Sequence, residues 1–283
     1  MTDMRYGIVA GYDGSPGSGE ALRWAAREAQ ARGTTLTVCL AWAPDHMMLP
    51  TEAALSDLAR QRGREILDRG LPYAESALGP GRVRAELVGE SAARALCERS
   101  RAAEMVVVGS RGHGDLAGLR LGSVAWHLAA HGHGRIVVVR GKWRPVNESP
   151  GPVVAGVDGS PASWAALTFA FEEAALRDVP LVAVCALGDA PGVLGAARRM
   201  EEGFSRAMTL REKEHPEVTV LRQVTVGSPR SALLTAAAGA QMLALGVRGL
   251  GGIDGMTLGS VAQVLLHHAP CPVAIVHPSA HQG

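Results

Sequence analysis

The stretch GSRGHGDLAGLRLGSVA occupies residues 109–125, and a second stretch, GVRGLGGIDGMTLGSVA, occupies residues 246–262. Both fit the pattern G-x2-G-x9-G-S, and an arginine precedes the second glycine of the pattern in each. Glycine loses more conformational freedom on folding than any other residue, so a run this rich in glycine needs a specific backbone role. The identical spacing at two places indicates a duplicated functional element.

The duplication extends over the whole chain of 283 residues. IVAGYDGSPGS at residues 8–18 matches VVAGVDGSPAS at residues 153–163. Each copy has the size of an ordinary domain. The segment between the copies is rich in proline, glycine and polar residues, which is typical of a linker. We therefore predict two domains, at residues 1–142 and 152–279, joined by a linker at residues 143–151.

Within each copy, short apolar runs alternate with segments that have helix start and stop signals. In the first copy the runs YGIVAGY, TLTVCLAW, RVRAELV, EMVVVGS and RIVVVR predict strands, and residues 16–32, 52–78, 91–102 and 123–130 predict helices. Continuous apolar strands that alternate with helices indicate a parallel sheet covered on both faces. The fold class is therefore predicted to be α/β, with two tandem doubly wound domains of five parallel strands each.

Composition and charge exclude several classes of protein. The formal net charge is +1, from 28 basic and 27 acidic residues, which argues against a nucleic-acid binder. No apolar stretch is long enough to span a membrane, and the N-terminus lacks the pattern of a secretion signal. The four cysteines form no CxxC pair, so we expect reduced thiols buried in strands and helices of a cytoplasmic protein, with one redox-active thiol as the alternative.

The sequence predicts neither a metal site nor a catalytic site. His127 and His131 have the i, i+4 spacing that can hold a metal on a helix face, but no cysteine or carboxylate completes the set. No general base stands beside a nucleophile in both copies, and there is no G-x-S-x-G elbow. Ser15 and Ser160, each followed by a proline, are better explained as helix caps than as nucleophiles.

Two motifs converge on one crevice in each predicted domain. Asp13 and Asp158 follow the first strand of their copies, and Gly109 and Gly246 follow the fourth. Ligands of doubly wound sheets bind beyond the carboxyl ends of the strands, where the strand order reverses. The first and fourth strands flank that point, so we expect a binding site there in each domain.

The glycine runs are expected to hold a phosphate chain. Gly109 and Gly112 allow positive φ, and we expect them to let a ligand approach the backbone closely. Gly122 and Ser123 would begin a helix, whose N-terminus attracts anions. Asp13 could accept a hydrogen bond from a base or a ribose. The run is not a Walker A loop, because no lysine stands at the required place, and it is not the Rossmann fingerprint, which follows the first strand.

These features together resemble the universal stress protein family. The resemblance covers nearly the whole chain as two tandem domains. It rests on Asp13-Gly14-Ser15, on Asp158-Gly159-Ser160, on both G-x2-G-x9-G-S motifs and on HHAPCPVAIVH at residues 267–277. The resemblance implies a flavodoxin-like strand order, ATP or another adenine nucleotide in each domain, and pairing through the last strands. The first copy departs from the pattern, because GHGRIVVV lacks the proline pair of APCPVAIV.

The family pattern also assigns roles to individual residues. It implies contact with adenosine for Asp13 and Asp158, and a base and ribose pocket lined by Ala41, Ala186, Val88 and Val226. It implies that ribose and phosphates are held by Gly109, Gly112, Gly122 and Ser123 and by Gly246, Gly249, Gly259 and Ser260. Arg111 and Arg248, inside the glycine runs, either pair with phosphate or point to solvent.

The expected function is that of a cytoplasmic ATP-binding regulator or sensor in the stress response, which acts through a change of conformation or partner. Mg²⁺ could accompany ATP, bound mainly by the phosphates. A homodimer and an unidentified protein partner are compatible with this role, and the expectation includes no enzymatic activity beyond slow ATP hydrolysis. The alternative is an enzyme of the adenine-nucleotide α-hydrolase type, a slow ATPase or an adenylyl transferase. A scaffold that has lost its nucleotide fits less well, because both motifs are intact.

Overall fold

The first half of the chain forms a parallel sheet with helices on both faces. The computed structural model describes residues 6–42, 53–112, 121–140, 151–187, 194–250 and 257–278. The chain divides into two compact units, Met1–Lys142 and Trp143–Gly283. The middle of each glycine run and residues 143–150 of the predicted linker lie outside the described residues.

Within the described residues, the first unit contains five strands and four helices. They are β1 (Tyr6–Gly11), α1 (Pro16–Arg32), β2 (Leu36–Ala41), α2 (Ala53–Leu78), β3 (Val83–Val88), α3 (Ala92–Ser100), β4 (Ala103–Gly109), α4 (Ser123–His131) and β5 (Arg135–Val139). The strands pair in parallel in the order β3-β2-β1-β4-β5.

The second unit has the same succession of elements over the residues that the structure describes. They are β6 (Val153–Gly156), α5 (Pro161–Arg177), β7 (Leu181–Leu187), α6 (Leu194–Glu214), β8 (Val220–Val226), α7 (Pro229–Ala236), β9 (Met242–Gly246), α8 (Ser260–His268) and β10 (Val273–Val276). Its parallel strands follow the order β8-β7-β6-β9-β10. The prediction of two doubly wound domains with five-stranded parallel sheets is thus confirmed.

The helix boundaries follow from capping residues that the sequence shows directly. Ser15 lies before α1 in an extended conformation, and its side chain accepts a hydrogen bond from the Ser18 N–H at 3.2 Å. Ser160 caps α5 in the same way, with 3.1 Å between its Oγ and the Ser163 nitrogen. Gly33 ends α1 in the left-handed conformation, with φ of 67°. These caps satisfy backbone groups that a helix end leaves without partners.

The core of each unit lies between the central strands and the helices. In β1 the side chains of Ile8, Val9 and Ala10 are buried, since a parallel sheet in this fold is covered on both faces. The three phenylalanines of the chain, Phe169, Phe171 and Phe204, all lie fully buried in the second unit. Among the described helices, none combines the length and the hydropathy needed to cross a membrane.

The cysteines correct two details of the sequence-based expectation. Cys39 and Cys185 are buried in β2 and β7 as predicted, and the described cysteines form no disulfide. Cys97, however, lies half-buried on α3, and Cys271 is buried in the turn that precedes β10 rather than in a strand. Burial raises the pKa of the Cys39 thiol to about 12, so this side chain is neutral at physiological pH.

Candidate functional site

The second unit contains a cavity of about 270 Å³ at the carboxyl ends of its strands. Strands β6 and β9 are neighbours in the sheet, although they are not consecutive in the chain, so the strand order reverses between them. The cavity therefore lies where doubly wound sheets bind their ligands. Of the residues predicted for this site, it is lined by Asp158, Ala186, Gly246, Arg248, Gly249, Gly259 and Ser260.

The first unit has a corresponding cavity of about 180 Å³. It lies at the reversal between β1 and β4. Of the predicted residues, it is lined by Asp13, Ala41, Gly109, Arg111, Gly112, Gly122 and Ser123. In each unit the structure thus brings together residues from three separate parts of the copy, and the same positions recur in both.

Val88 and Val226 were expected in the base pocket, but neither lines its cavity among the described residues. Val226 is 74% exposed. The reason is its place in the sheet: β3 and β8 are edge strands, two positions away from the reversal point. The helices that follow these strands return toward the sheet and form the cavity wall in their place.

The helix residues of this cavity wall were not among those predicted from the sequence. In the first unit α3 contributes Ala92 and Leu96, and in the second unit α7 contributes Pro229 and Leu233. Both pairs are spaced i, i+4, which places them on one helix face. This i, i+4 spacing, directly after the third strand of each copy, could have indicated a helix face that lines the cavity.

The end of the second strand adds further apolar residues to each cavity. Cys39 and Ala41 line it in the first unit, and Val184 and Ala186 line it in the second. The thiol of Cys39 is protonated because burial raises its pKa, so it adds no charge. Each cavity therefore has one end suited to a flat, uncharged group.

The other end of each cavity is the N-terminus of a helix. Gly122 and Gly259 are the N-caps of α4 and α8, and neither helix has a side-chain capping bond. The first turns of both helices, residues 123–125 and 260–262, line the cavities. The first N–H groups of a helix have no partner within the helix, and its dipole makes this end positive. This end is suited to an anion.

Two arginines lie at the same end. Arg111 and Arg248 line the two cavities, and both are exposed. The backbone of Arg248 is fixed, since the Ser160 hydroxyl donates a hydrogen bond to its carbonyl oxygen at 3.2 Å. A guanidinium at the mouth of the cavity adds positive charge next to the helix N-terminus.

The glycines of the motif do not use the left-handed conformation that glycine allows. Gly109, Gly112, Gly246 and Gly249 are not among the described glycines with positive φ. They are needed because the backbone packs closely: a Cβ on Gly109 would lie 2.6 Å from the carbonyl carbon of Gly17. Close approach to the first helix of the unit explains Gly109 and Gly246, and close approach to the Asp13 or Asp158 carboxylate explains Gly112 and Gly249.

The carboxylates of Asp13 and Asp158 already accept hydrogen bonds from within the protein. Asp13 Oδ1 accepts a hydrogen bond from the Ser15 N–H at 2.9 Å, and Asp158 Oδ1 accepts one from the Ser160 N–H at 3.0 Å. Asp158 Oδ2 also accepts a hydrogen bond from the Leu250 N–H at 2.8 Å. Each carboxylate thus stabilises the turn between the first strand and the first helix of its unit.

Comparison with known proteins adds independent information. The model of the universal stress protein family matches this chain twice, over residues 4–140 and 151–277. A universal stress protein of Mycolicibacterium smegmatis is 36% identical, and the alignment covers 96% of this chain and 97% of that protein. A universal stress protein of Mycobacterium tuberculosis is 33% identical over the same shares of the two chains.

A solved structure supports the fold separately. The crystal structure of a universal stress protein from Archaeoglobus fulgidus superposes with a TM-score of 0.73 and covers 96% of this chain and 98% of that one. The sequence identity is 19%, so this similarity concerns the fold alone.

Proposed function

Since this chain belongs to the universal stress protein family, we propose that each of its two units binds one molecule of ATP and that the bound nucleotide regulates the protein's conformation or partners. The adenine would lie at the apolar end of each cavity. The phosphates would lie at the N-terminus of α4 or α8. Mg²⁺ would be held mainly by the phosphates.

One observation carries this proposal: the same two-ended cavity occurs in both units. An apolar end and a helix N-terminus with an arginine form one continuous site, which matches a ligand with a flat base and an anionic tail. The recurrence matters because the two copies have diverged in sequence, even within the cavities, where Cys39 of the first unit corresponds to Val184 in the second.

The described lining favours binding over chemistry. Its titratable side chains are one aspartate and one arginine in each unit, with Tyr12 and Cys39 added in the first. Each aspartate already accepts hydrogen bonds from backbone N–H groups, and the Cys39 thiol is protonated. Among these described groups the arginine favours an anion, and none is an activated nucleophile. This supports a regulator, and it makes an α-hydrolase-type enzyme the alternative outcome of the test.

A regulatory effect requires that ATP bind one conformation more tightly than another. The glycine run and the first turn of α4 or α8 would both contact the phosphates, so ATP would restrain the run against that helix. We expect amide hydrogen exchange in residues 246–250 and 257–262 to slow when ATP binds.

The test is equilibrium binding of ATP to nucleotide-stripped protein by calorimetry. Gly122→Val and Gly259→Val each place a branched side chain in one cavity, and each should reduce the stoichiometry from two to one. Gly203→Val is the matched control, because a Cβ at that position in α6 has no neighbour within 4 Å. Its stoichiometry should stay at two. Sustained release of AMP or pyrophosphate from ATP would instead favour the enzyme.

A further inference from the structure

The carboxylate of Asp158 connects two distant parts of the chain. Its Oδ1 accepts a hydrogen bond from the Ser160 N–H at 3.0 Å, and its Oδ2 accepts one from the Leu250 N–H at 2.8 Å. Ser160 opens α5, while Leu250 lies inside the glycine run. One side chain therefore fixes the start of the glycine run on the N-terminal turn of α5.

A second set of contacts reinforces this connection. The Ser160 hydroxyl donates a hydrogen bond to the Arg248 carbonyl oxygen at 3.2 Å. Gly246 approaches the same turn so closely that a Cβ there would lie 2.6 Å from the carbonyl carbon of Ala162. Residues 246 and 248 are thus held against the N-terminus of α5, and residue 250 is held by the Asp158 carboxylate that precedes it. We call this set of contacts the clasp.

The clasp explains why the second motif position is glycine. A Cβ on Gly249 would collide with Oδ2 of Asp158. The carboxylate could turn away only by giving up a hydrogen bond. The first unit repeats the geometry: a Cβ on Gly112 would lie 2.5 Å from Asp13 Oδ2, while Asp13 Oδ1 accepts the Ser15 N–H.

The clasp accounts for the presence of a negative charge, the Asp158 carboxylate, in a cavity that is proposed to bind phosphate. A carboxylate in a cavity that binds phosphate repels the ligand, because like charges disfavour each other. Asp158 nevertheless lines the cavity together with Arg248. Its two oxygens accept hydrogen bonds from backbone N–H groups on two segments, and such charge-assisted bonds are stronger than neutral ones.

We propose that Asp158 is a positioning residue for the phosphates: its carboxylate holds the glycine run in the shape that receives them, and it acts through the run rather than by touching the base. This inference rests on the proposed function, since the phosphates are those of ATP. A positioning role differs from direct contact with adenosine, because loss of the carboxylate should weaken the binding only of ligands that carry phosphate.

The first test compares ATP with adenosine. Asp158→Asn keeps an oxygen for the Ser160 N–H, but its amide nitrogen cannot accept from the Leu250 N–H. In a Gly122→Val background, which leaves the second site, ATP affinity should fall about tenfold or more and adenosine affinity should change less than about twofold. Equal losses for both ligands would overturn the proposal in favour of adenosine contact. Asp178→Asn, the same change at the opposite end of α5, should alter neither affinity.

The second test uses a double-mutant cycle, which measures coupling between neighbours. Gly249→Ala alone should weaken ATP binding about tenfold, because the new methyl group displaces the carboxylate. In an Asp158→Ala background the obstruction is gone, so Gly249→Ala should add less than about a twofold loss. Full additivity of the two changes would contradict the clasp.

The third test needs no nucleotide and separates this proposal from the proposed function. Amide exchange in residues 246–250 of the unliganded protein should speed up about tenfold in Asp158→Asn, since the Leu250 N–H loses its acceptor. Unchanged exchange in a variant with a wild-type circular dichroism spectrum would overturn the clasp. If the wild-type protein binds no ATP but this exchange effect appears, the proposed function fails and the clasp stands as a structural connection.

Discussion

Replacing Gly246 by alanine should destabilise the second unit, because the glycine at the end of β9 packs against backbone. A Cβ there would lie 2.6 Å from the carbonyl carbon of Ala162 and 2.8 Å from the nitrogen of Ser163. Carbon atoms in unstrained contact are about 3.5–4.0 Å apart, so α5 would have to move by about 1 Å. The Ser160 cap fixes this end of α5, which makes the movement costly.

The size of the effect follows from two opposing terms. Overpacking of this kind costs about 1–3 kcal/mol. Alanine also lowers the entropy of the unfolded chain, which stabilises the protein by about 0.4–1 kcal/mol. The net loss in the free energy of unfolding is therefore about 1–2 kcal/mol, or roughly 3–8 °C in Tm for a unit of this size.

The assay is urea and thermal unfolding of the nucleotide-free protein, followed by circular dichroism. Gly203→Ala in α6 is the matched control, since its new Cβ would have no neighbour within 4 Å. Glycine in a helix costs about 0.5–1 kcal/mol relative to alanine, so this variant should be more stable than the wild type. If Gly246→Ala were also neutral or stabilising, the close packing of the glycine run on α5 would be refuted.

Two further predictions concern buried polar groups. Arg177→Ala should lower the free energy of unfolding in urea by about 3–5 kcal/mol, because the fully buried carboxylate of Glu173 would lose its ion pair with this arginine. Arg94→Ala, which breaks an exposed pair, should cost less than about 1 kcal/mol, and equal losses would contradict this reasoning. With a maleimide at pH 7, half-buried Cys97 should be labelled before the buried Cys39. Because burial raises the pKa of the Cys39 thiol to about 12, its labelling, followed by mass spectrometry, should stay behind that of Cys97 at pH 8 as well, and equal rates would count against its burial.

The fold was predictable because its signals are local. Strands such as β5 are uninterrupted apolar runs, and the helix α1 is bounded by Ser15-Pro16 and Gly33. Because the sequence is duplicated, the same succession of strands and helices could be predicted for the second unit. The predicted helix at residues 91–102 ends earlier, at Ser100, since a helix end without a glycine or proline has no clear stop signal in the sequence.

The site was predictable only where topology alone places a residue. Residues that directly follow the first and fourth strands must lie at the strand-order reversal, so Asp158 and Gly246 were found. Leu233 was missed because the face that α7 turns to the cavity depends on tertiary packing. The packing of Gly249 could not be predicted either, because the group that a Cβ there would meet is the Asp158 carboxylate, 91 residues away in sequence.

The most direct test of the central claim is a count of bound nucleotide. The protein would be stripped, saturated with ATP, freed of excess ligand and denatured, and the released adenine nucleotide would be quantified per chain by chromatography. Two matching cavities predict close to two adenine nucleotides per chain, and close to one for either Gly122→Val or Gly259→Val. No release of nucleotide, together with no ATP binding at millimolar concentration, would contradict the claim that these cavities are nucleotide sites.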